Sequence, residues 1–109
     1  MLFLSFNMIT PFQEKVYAIL KNVPSGHVTT YKEIGNALGK DGNVYRAIGQ
    51  ALNKNPFAPA VPCHRVVCSD GSLGGFAHGS TAKIVLLKKE GVAVLDGKIV
   101  DFEKKLWKF

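Results

Sequence analysis

Three prolines in close succession, Pro56, Pro59 and Pro62, constrain this chain more than any other feature. Each locks φ and lacks an amide donor, so Asn55 to Pro62 cannot be helical throughout and must run as a stiffened, irregular connection. Cys63, immediately after Pro62, therefore leaves a constrained backbone.

The residues before the prolines are patterned for helices. Phe12, Val16, Ile19, Leu20 and Val23 follow a helical period, with Thr10 placed to cap, Pro11 at the first helical position and Pro24-Ser25-Gly26 as the stop. His27-Val28-Thr29 reads as a short extended piece, after which Thr30 caps a helix from Tyr31 to Leu38 ended by Gly39. Beyond a Gly39-Lys40-Asp41-Gly42 turn, Asn43 is placed to cap a helix with core stripe Val44, Ala47, Ile48, Ala51 and Leu52, leaving Arg46, Gly49, Gln50 and Asn53 opposite. Two short helices joined by a glycine-containing turn form the pattern of a helix-turn-helix. Helical hairpins are common, so this pattern alone does not decide for DNA.

After the prolines the signals turn mixed. Arg65-Val66-Val67-Cys68 and the segment after Asp70-Gly71 predict two strands around a Ser-Asp-Gly turn. Leu73 to Gly79 is a glycine-rich loop able to approach a ligand closely. Ser80 is expected to cap a helix to Glu90 with Ile84 and Leu87 inward, Gly91 to end it, and Val92 to Val100 to form a hairpin at Asp96-Gly97. A short tail helix would carry Leu106, Trp107 and Phe109. The sum predicts one mostly α domain with a small β component, winged helix-turn-helix-like, because 109 residues with 47% hydrophobic content close one core.

An excess of 14 Lys and Arg over 8 Asp and Glu, net charge +6, favours a polyanionic partner such as nucleic acid without proving one. Met1 to Gln13 is uncharged but interrupted by Asn7, Thr10 and Pro11, too short for a membrane span and without a basic leader, so a cytoplasmic protein with no membrane partner is expected. Two cysteines, Cys63 and Cys68, are too few for a disulfide scaffold.

The chemistry concentrates in Pro62-Cys63-His64-Arg65-Val66. A thiolate is the reactive form of cysteine, and neighbouring imidazole or cationic groups favour it. Adjacent side chains of an extended chain point to opposite faces, so Cys63 and His64 need a turn, or a water between them, to exchange a proton. Glu90 is a candidate to orient the imidazole, although a carboxylate beside Lys88 and Lys89 equally fits a solvated surface charge. A metal module from Cys63, His64, Cys68 and His78 matches no common zinc spacing. Cys68 is most simply a buried small residue, His27 a turn histidine and Trp107 a packing anchor.

These five residues closely resemble the active-site motif of the O6-alkylguanine-DNA alkyltransferases, and the likeness runs from about Thr10 to Gly91 through Arg46-Ala47-Ile48-Gly49, Asn55, Lys83 and Glu90. The resemblance implies a cofactor-free, metal-free, single-turnover repair reaction on double-stranded DNA. A monomer enters the minor groove, flips out O6-alkylguanine and takes the alkyl group irreversibly on Cys63. His64 would act as base through water, oriented by Glu90, with Asn55 holding their turn and Tyr31 donating towards guanine N3. Arg46 would fill the gap in the base stack, with Ala47, Gly49, Gln50, Tyr31 and Arg65 also at DNA, while Val67, Phe76, Ala77, His78 and Lys83 would form the substrate pocket.

Phe76, Ala77 and His78 depart from the tyrosine, serine and small residue that members carry there, so backbone N–H groups near Ala77 would serve guanine O6 and His78 would narrow the pocket. Tyr45 replaces a frequent alanine, and one extra residue lies between Tyr31 and Arg46. Residues 1–9 read as an N-terminal extension and 10–109 as the catalytic domain, without the N-terminal domain of typical members. That brings the chain nearer in size to the alkyltransferase-like damage sensors, which bind the lesion, recruit other factors and replace the cysteine with Trp or Ala. Retention of Cys63 with His64, Asn55 and Glu90 favours an enzyme.

Overall fold

The computed structural model describes residues 9–39, 44–75 and 79–109. In chain order they form α1 (Pro11–Leu20), β1 (Thr29–Thr30), α2 (Tyr31–Ala37), α3 (Val44–Asn53), a 3₁₀ turn (Cys63–Arg65), β2 (Val66–Val67), α4 (Ser80–Lys89), β3 (Val94–Leu95), β4 (Lys98–Ile99) and α5 (Phe102–Lys105). The expected class, mostly α with a small β component, is the one observed.

Local chemistry accounts for the helix starts. Thr10 accepts from the Gln13 amide while the Gln13 side chain accepts from the Thr10 amide, a reciprocal capping box ahead of Pro11. Thr30 accepts from the Glu33 amide and starts α2 directly from β1. The first helix stops at Leu20, short of Pro24, and Val23 still reaches the core from the turn beyond. The Lys40–Gly42 turn and the Asn43 cap lie outside the described residues.

Two apolar clusters meet at the short parallel sheet. Val16, Leu20, Val23, Ile34, Ile48, Ala51, Leu52, Val61 and Val66 form the first, between α1, α2 and α3. Val28, Val67, Leu73, Leu87, Val92 and Ile99 form the second, under α4 and the β3–β4 hairpin. Because neighbours on a strand face opposite ways, Val66 enters one cluster and Val67 the other, so β2 joins the two halves.

β2 pairs in parallel with β1, Thr29 against Val66 and Thr30 against Val67. This corrects the hairpin expected around Ser69-Asp70-Gly71. A turn is present, closed by Cys68 N–H to Ser72 O at 3.0 Å, but Ser72 then bridges to Lys98 instead of extending the pairing. The strand's better partner is β1, which places its alternate side chains in both clusters. The other edge of β1 is covered by the tail, where Val28 N–H donates to Lys105 O, Trp107 N–H to Val28 O, and Thr29 Oγ1 to Trp107 O.

Of the remaining elements, the tail helix differs from expectation: α5 ends at Lys105, so Leu106, Trp107 and Phe109 lie beyond it, and Leu106 is extended and bridges to Val28. Ser80 is the first residue of α4 rather than its cap; Gly79 holds the cap position, with no side-chain bond. The hairpin turns at Asp96 and Gly97, both at positive φ (51° and 76°), the geometry of a type I′ turn that glycine and aspartate tolerate. Cys68 is half-buried, more accessible than expected. Trp107 packs against the first cluster and edge-on to His27, ring centroids 5.7 Å apart.

Candidate active site

The irregular run after Asn55 is tied down by that residue's amide. Asn55 Nδ2 donates to Val61 O at 2.8 Å, and its Oδ1 accepts from Phe57 N–H at 2.9 Å. The chain then enters a single 3₁₀ turn, Cys63-His64-Arg65, closed by Arg65 N–H to Pro62 O. This turn supplies the departure from extended backbone that Cys63 and His64 require. Both are buried, Cys63 at 6% exposure and His64 at 2%.

His64 Nε2 lies 3.1 Å from Glu90 Oε2, across a sequence separation of 26 residues. Glu90 occupies the C-cap of α4 and is half-buried against the 3₁₀ turn, which overturns the reading of it as a solvated charge beside Lys88 and Lys89. Burial pushes its carboxyl upward, but the hydrogen bonds and charges of Arg65 and His64 outweigh that and hold it below the ordinary carboxylate range. An ionised carboxylate only accepts, so Nε2 must carry the imidazole proton and Nδ1 is left as the acceptor. Burial lowers the His64 pKa below 6.5; Glu90 opposes this only in part, and the charges of Arg65 and Lys83 add to the fall. The imidazole is thus neutral at pH 7 and able to receive a proton.

Tyr31 opens α2, half-buried. Burial, with the Cys68 and Cys63 thiols adding to it, raises the phenol's pKa, so it remains a donor at neutral pH. Gly74, at φ +71°, is where the groups converge: a Cβ there would sit 3.3 Å from Cys68 Sγ and 3.9 Å from both Lys83 Nζ and Tyr31 Oη. A Cβ at this position would press on Cys68 Sγ and be strained at that φ, while only touching the other two.

Two expected site residues face inward. Lys83 is fully buried, and its Nζ donates to Val66 O and Leu73 O at 2.6 Å each and to Gly75 O at 3.1 Å. Burial lowers its pKa to about 8, with Cys68 and Cys63 opposing the fall, so the ammonium is still mostly charged at pH 7. Val67 is fully buried in the second cluster. Neither presents an open wall, because the ammonium is occupied by backbone and the valine by core.

Arg65 is a plainer correction. Expected at DNA, its guanidinium instead donates Nε to Glu90 Oε1 (2.9 Å), Nη2 to Glu90 Oε2 (2.5 Å) and Nη1 to Val23 O (2.7 Å). A half-buried fork engaged at all three nitrogens has its donors committed within the protein. By contrast, Arg46 and Gln50 are exposed on the outer face of α3, and the space beside Gly49 is open. Ala47 lies half-buried at the edge of that face. Phe76, Ala77 and His78 lie outside the described residues, as do residues 1–8.

Sequence reasoning passed over Tyr17. Its hydroxyl donates to Ala51 O at 2.7 Å within the first cluster, linking α1 to α3, and the Cys63 thiol adds to the effect of burial in raising its pKa. The available signal was a phenol inside the apolar stripe of α1. Among the described residues no three His, Cys, Asp or Glu side chains group as metal ligands, and no helix is long and apolar enough to cross a membrane.

Fold and site together define a winged helix-turn-helix domain with a buried cysteine on a tight turn, backed by a histidine–glutamate pair. The sequence profile of the 6-O-methylguanine DNA methyltransferase DNA-binding domain matches residues 11–92, and the chain belongs to that family. It is 49% identical over 81 residues to the methylated-DNA–protein-cysteine methyltransferase of Methanosarcina barkeri, covering 74% of this chain and 51% of that protein. The crystal structure of O6-methylguanine-DNA methyltransferase from Pyrococcus kodakaraensis superposes with a TM-score of 0.72 at 46% identity, covering 81% of this chain and 50% of that one. S. pombe Atl1, solved in complex with damaged DNA containing O6-carboxymethylguanine, superposes with a TM-score of 0.78 at 30% identity over 90% of this chain and 95% of its own. The chain spans about half the length of the methyltransferases it matches.

Proposed function

We propose that this chain repairs O6-alkylguanine in double-stranded DNA by transferring the alkyl group irreversibly to Cys63. The observation that carries the reading is the 3.1 Å His64–Glu90 contact behind Cys63 on a single 3₁₀ turn. It provides a neutral, oriented imidazole next in sequence to a thiol, the arrangement that activates a sulfur nucleophile.

The monomer enters the minor groove through α3, where exposed Arg46 takes the space vacated by the flipped base and Gly49 and Gln50 meet the backbone of DNA. Loss of pairing strength in an alkylated guanine reduces the few kcal/mol that flipping costs. His64 accepts the Cys63 proton through a water, the sulfur forms a bond to the alkyl carbon, and the carbon–O6 bond breaks with its electron pair passing to the purine. Tyr31 delivers a proton at guanine N3 and is reprotonated from the imidazolium, so the net proton moves from thiol to base. No cofactor is needed. The thioether product has no good leaving group, so each molecule reacts once. Residues 10–109 act as the catalytic unit, and DNA association is expected in the cytoplasm.

The second reading is a damage sensor that binds the lesion without reacting, supported by the match along nearly the whole of S. pombe Atl1. Incubation with duplex DNA containing O6-methylguanine, followed by intact and peptide mass spectrometry, separates the two. One methyl added at Cys63, absent from Cys63→Ala, supports transfer. Tight lesion binding with no added mass supports the sensor and refutes transfer.

A further inference from the structure

Glu90 is shared by two adjacent residues of one turn. Arg65 grips both carboxylate oxygens, at 2.9 and 2.5 Å, while His64 Nε2 holds Oε2 at 3.1 Å. The guanidinium is itself anchored at 2.7 Å by Val23 O, in the turn that follows α1. Both members of the ion pair are largely buried, their side chains 15% and 16% exposed, so solvent screens them only in part. A two-pronged arginine has the stronger hold on a carboxylate, and its rigid fork also fixes the carboxylate plane.

We infer that Arg65 is a positioning residue that keeps His64 in its neutral, proton-accepting form by neutralising and orienting the Glu90 carboxylate, without itself contacting DNA or the reacting atoms. A carboxylate beside an imidazole, left to itself, favours the imidazolium, which cannot accept a thiol proton. Arg65 offsets part of that bias at its source, adding to the larger effect of burial. Among the described residues, the charged and titratable groups around His64 are Glu90, Arg65, Lys83 and the adjacent Cys63. Lys83 acts in the same sense as Arg65, but its nitrogen is engaged with three carbonyl oxygens; among the described residues Arg65 alone joins His64 on the carboxylate. The consequence for rate rests on the alkyl-transfer reading above, whereas the effect on His64 exists in the free protein.

The experiment is an NMR titration of the His64 imidazole in the full chain, in wild type, Arg65→Gln, Arg65→Lys, Glu90→Gln and the Arg65→Gln/Glu90→Gln pair. Arg65→Gln should raise the His64 pKa by about one pH unit. Arg65→Lys, which keeps charge but loses the fork, should raise it by less, and the Arg65→Gln effect should shrink once Glu90 is gone. The acidic limb of Cys63 methylation by the O6-methylguanine duplex should move upward with the titration, slowing transfer by at most about threefold at pH 7 and by about tenfold well below both pKa values, and recovering in alkali. A residue needed only for folding would lower thermal stability and depress the rate at every pH without moving His64. If Arg65→Gln does not fold, Arg65→Lys carries the test. An unchanged or lowered His64 pKa in a folded Arg65 variant overturns the inference. A wild-type chain that accepts no methyl while the titrations behave as expected overturns the proposed function and leaves this coupling standing.

Discussion

Lys83 Nζ lies 2.6 Å from the carbonyl oxygen of Val66, joining the middle of α4 to the strand that leaves the active-site turn. With Leu73 O and Gly75 O as its other acceptors, this one ammonium gathers β2, the glycine-rich loop and α4 around the site.

Lys83→Met keeps the length of the side chain and leaves these carbonyls without their donor. We expect a loss of about 3 kcal/mol in urea unfolding, the scale of breaking buried charge-assisted bonds. Stability equal to wild type would mean that these bonds contribute nothing.

Acid should weaken the fold through His64 and Glu90. Both have folded pKa values below their ordinary 6.5 and 4.5, so the unfolded chain binds their protons more readily. Their stabilisation is present above those ordinary values and is lost as pH falls through the lower folded ones. Thermal melts from pH 7 to pH 3 should show a decline starting near 6.5 and a second below 4.5. Glu90→Gln should retain the first and lose the second; a melt independent of pH contradicts both assignments.

The roles at DNA separate kinetically. Tyr31→Phe should slow methyl transfer about 10²-fold, as expected for loss of a proton donor, with little change in lesion binding. Arg46→Ala should instead weaken lesion binding about tenfold, the scale of one lost stacking partner. Single-turnover rates and duplex titrations read the two effects apart, and the reverse pattern would reject the assignment.

Asn55→Ala removes the bonds to Val61 O and Phe57 N–H. At about 1 kcal/mol each, stability should fall by about 2 kcal/mol, and transfer should slow as the turn bearing Cys63 loosens. Unaltered transfer at full stability would show that the prolines alone hold the loop.

Much of the fold was legible because its signals are local. Thr10 with Gln13, Thr30 with Glu33, and Asp96-Gly97 each act within three residues, and the spacing of Ile48, Ala51 and Leu52 marks the buried face of α3. The outward position of Arg46 follows from the same periodicity. The partner of β2 was not legible, because a two-residue strand carries no register signal and the Ser-Asp-Gly turn beside it suggested a hairpin.

By itself, then, the sequence determined where α1 and α2 begin, which α3 face is outward, and that Cys63 leaves a backbone constrained by Pro62. Tertiary structure alone decided what surrounds them. Glu90 reaches His64 over 26 residues, Arg65 turns inward to Glu90 and to Val23 over 42, and Lys83 is drawn inward to Val66 over 17. Caps and periodicity bias only the backbone within a turn or two. The fate of a long cationic side chain depends on which acceptors the folded chain leaves buried beside it, since an unpaired buried charge or carbonyl costs more than local preference can offset.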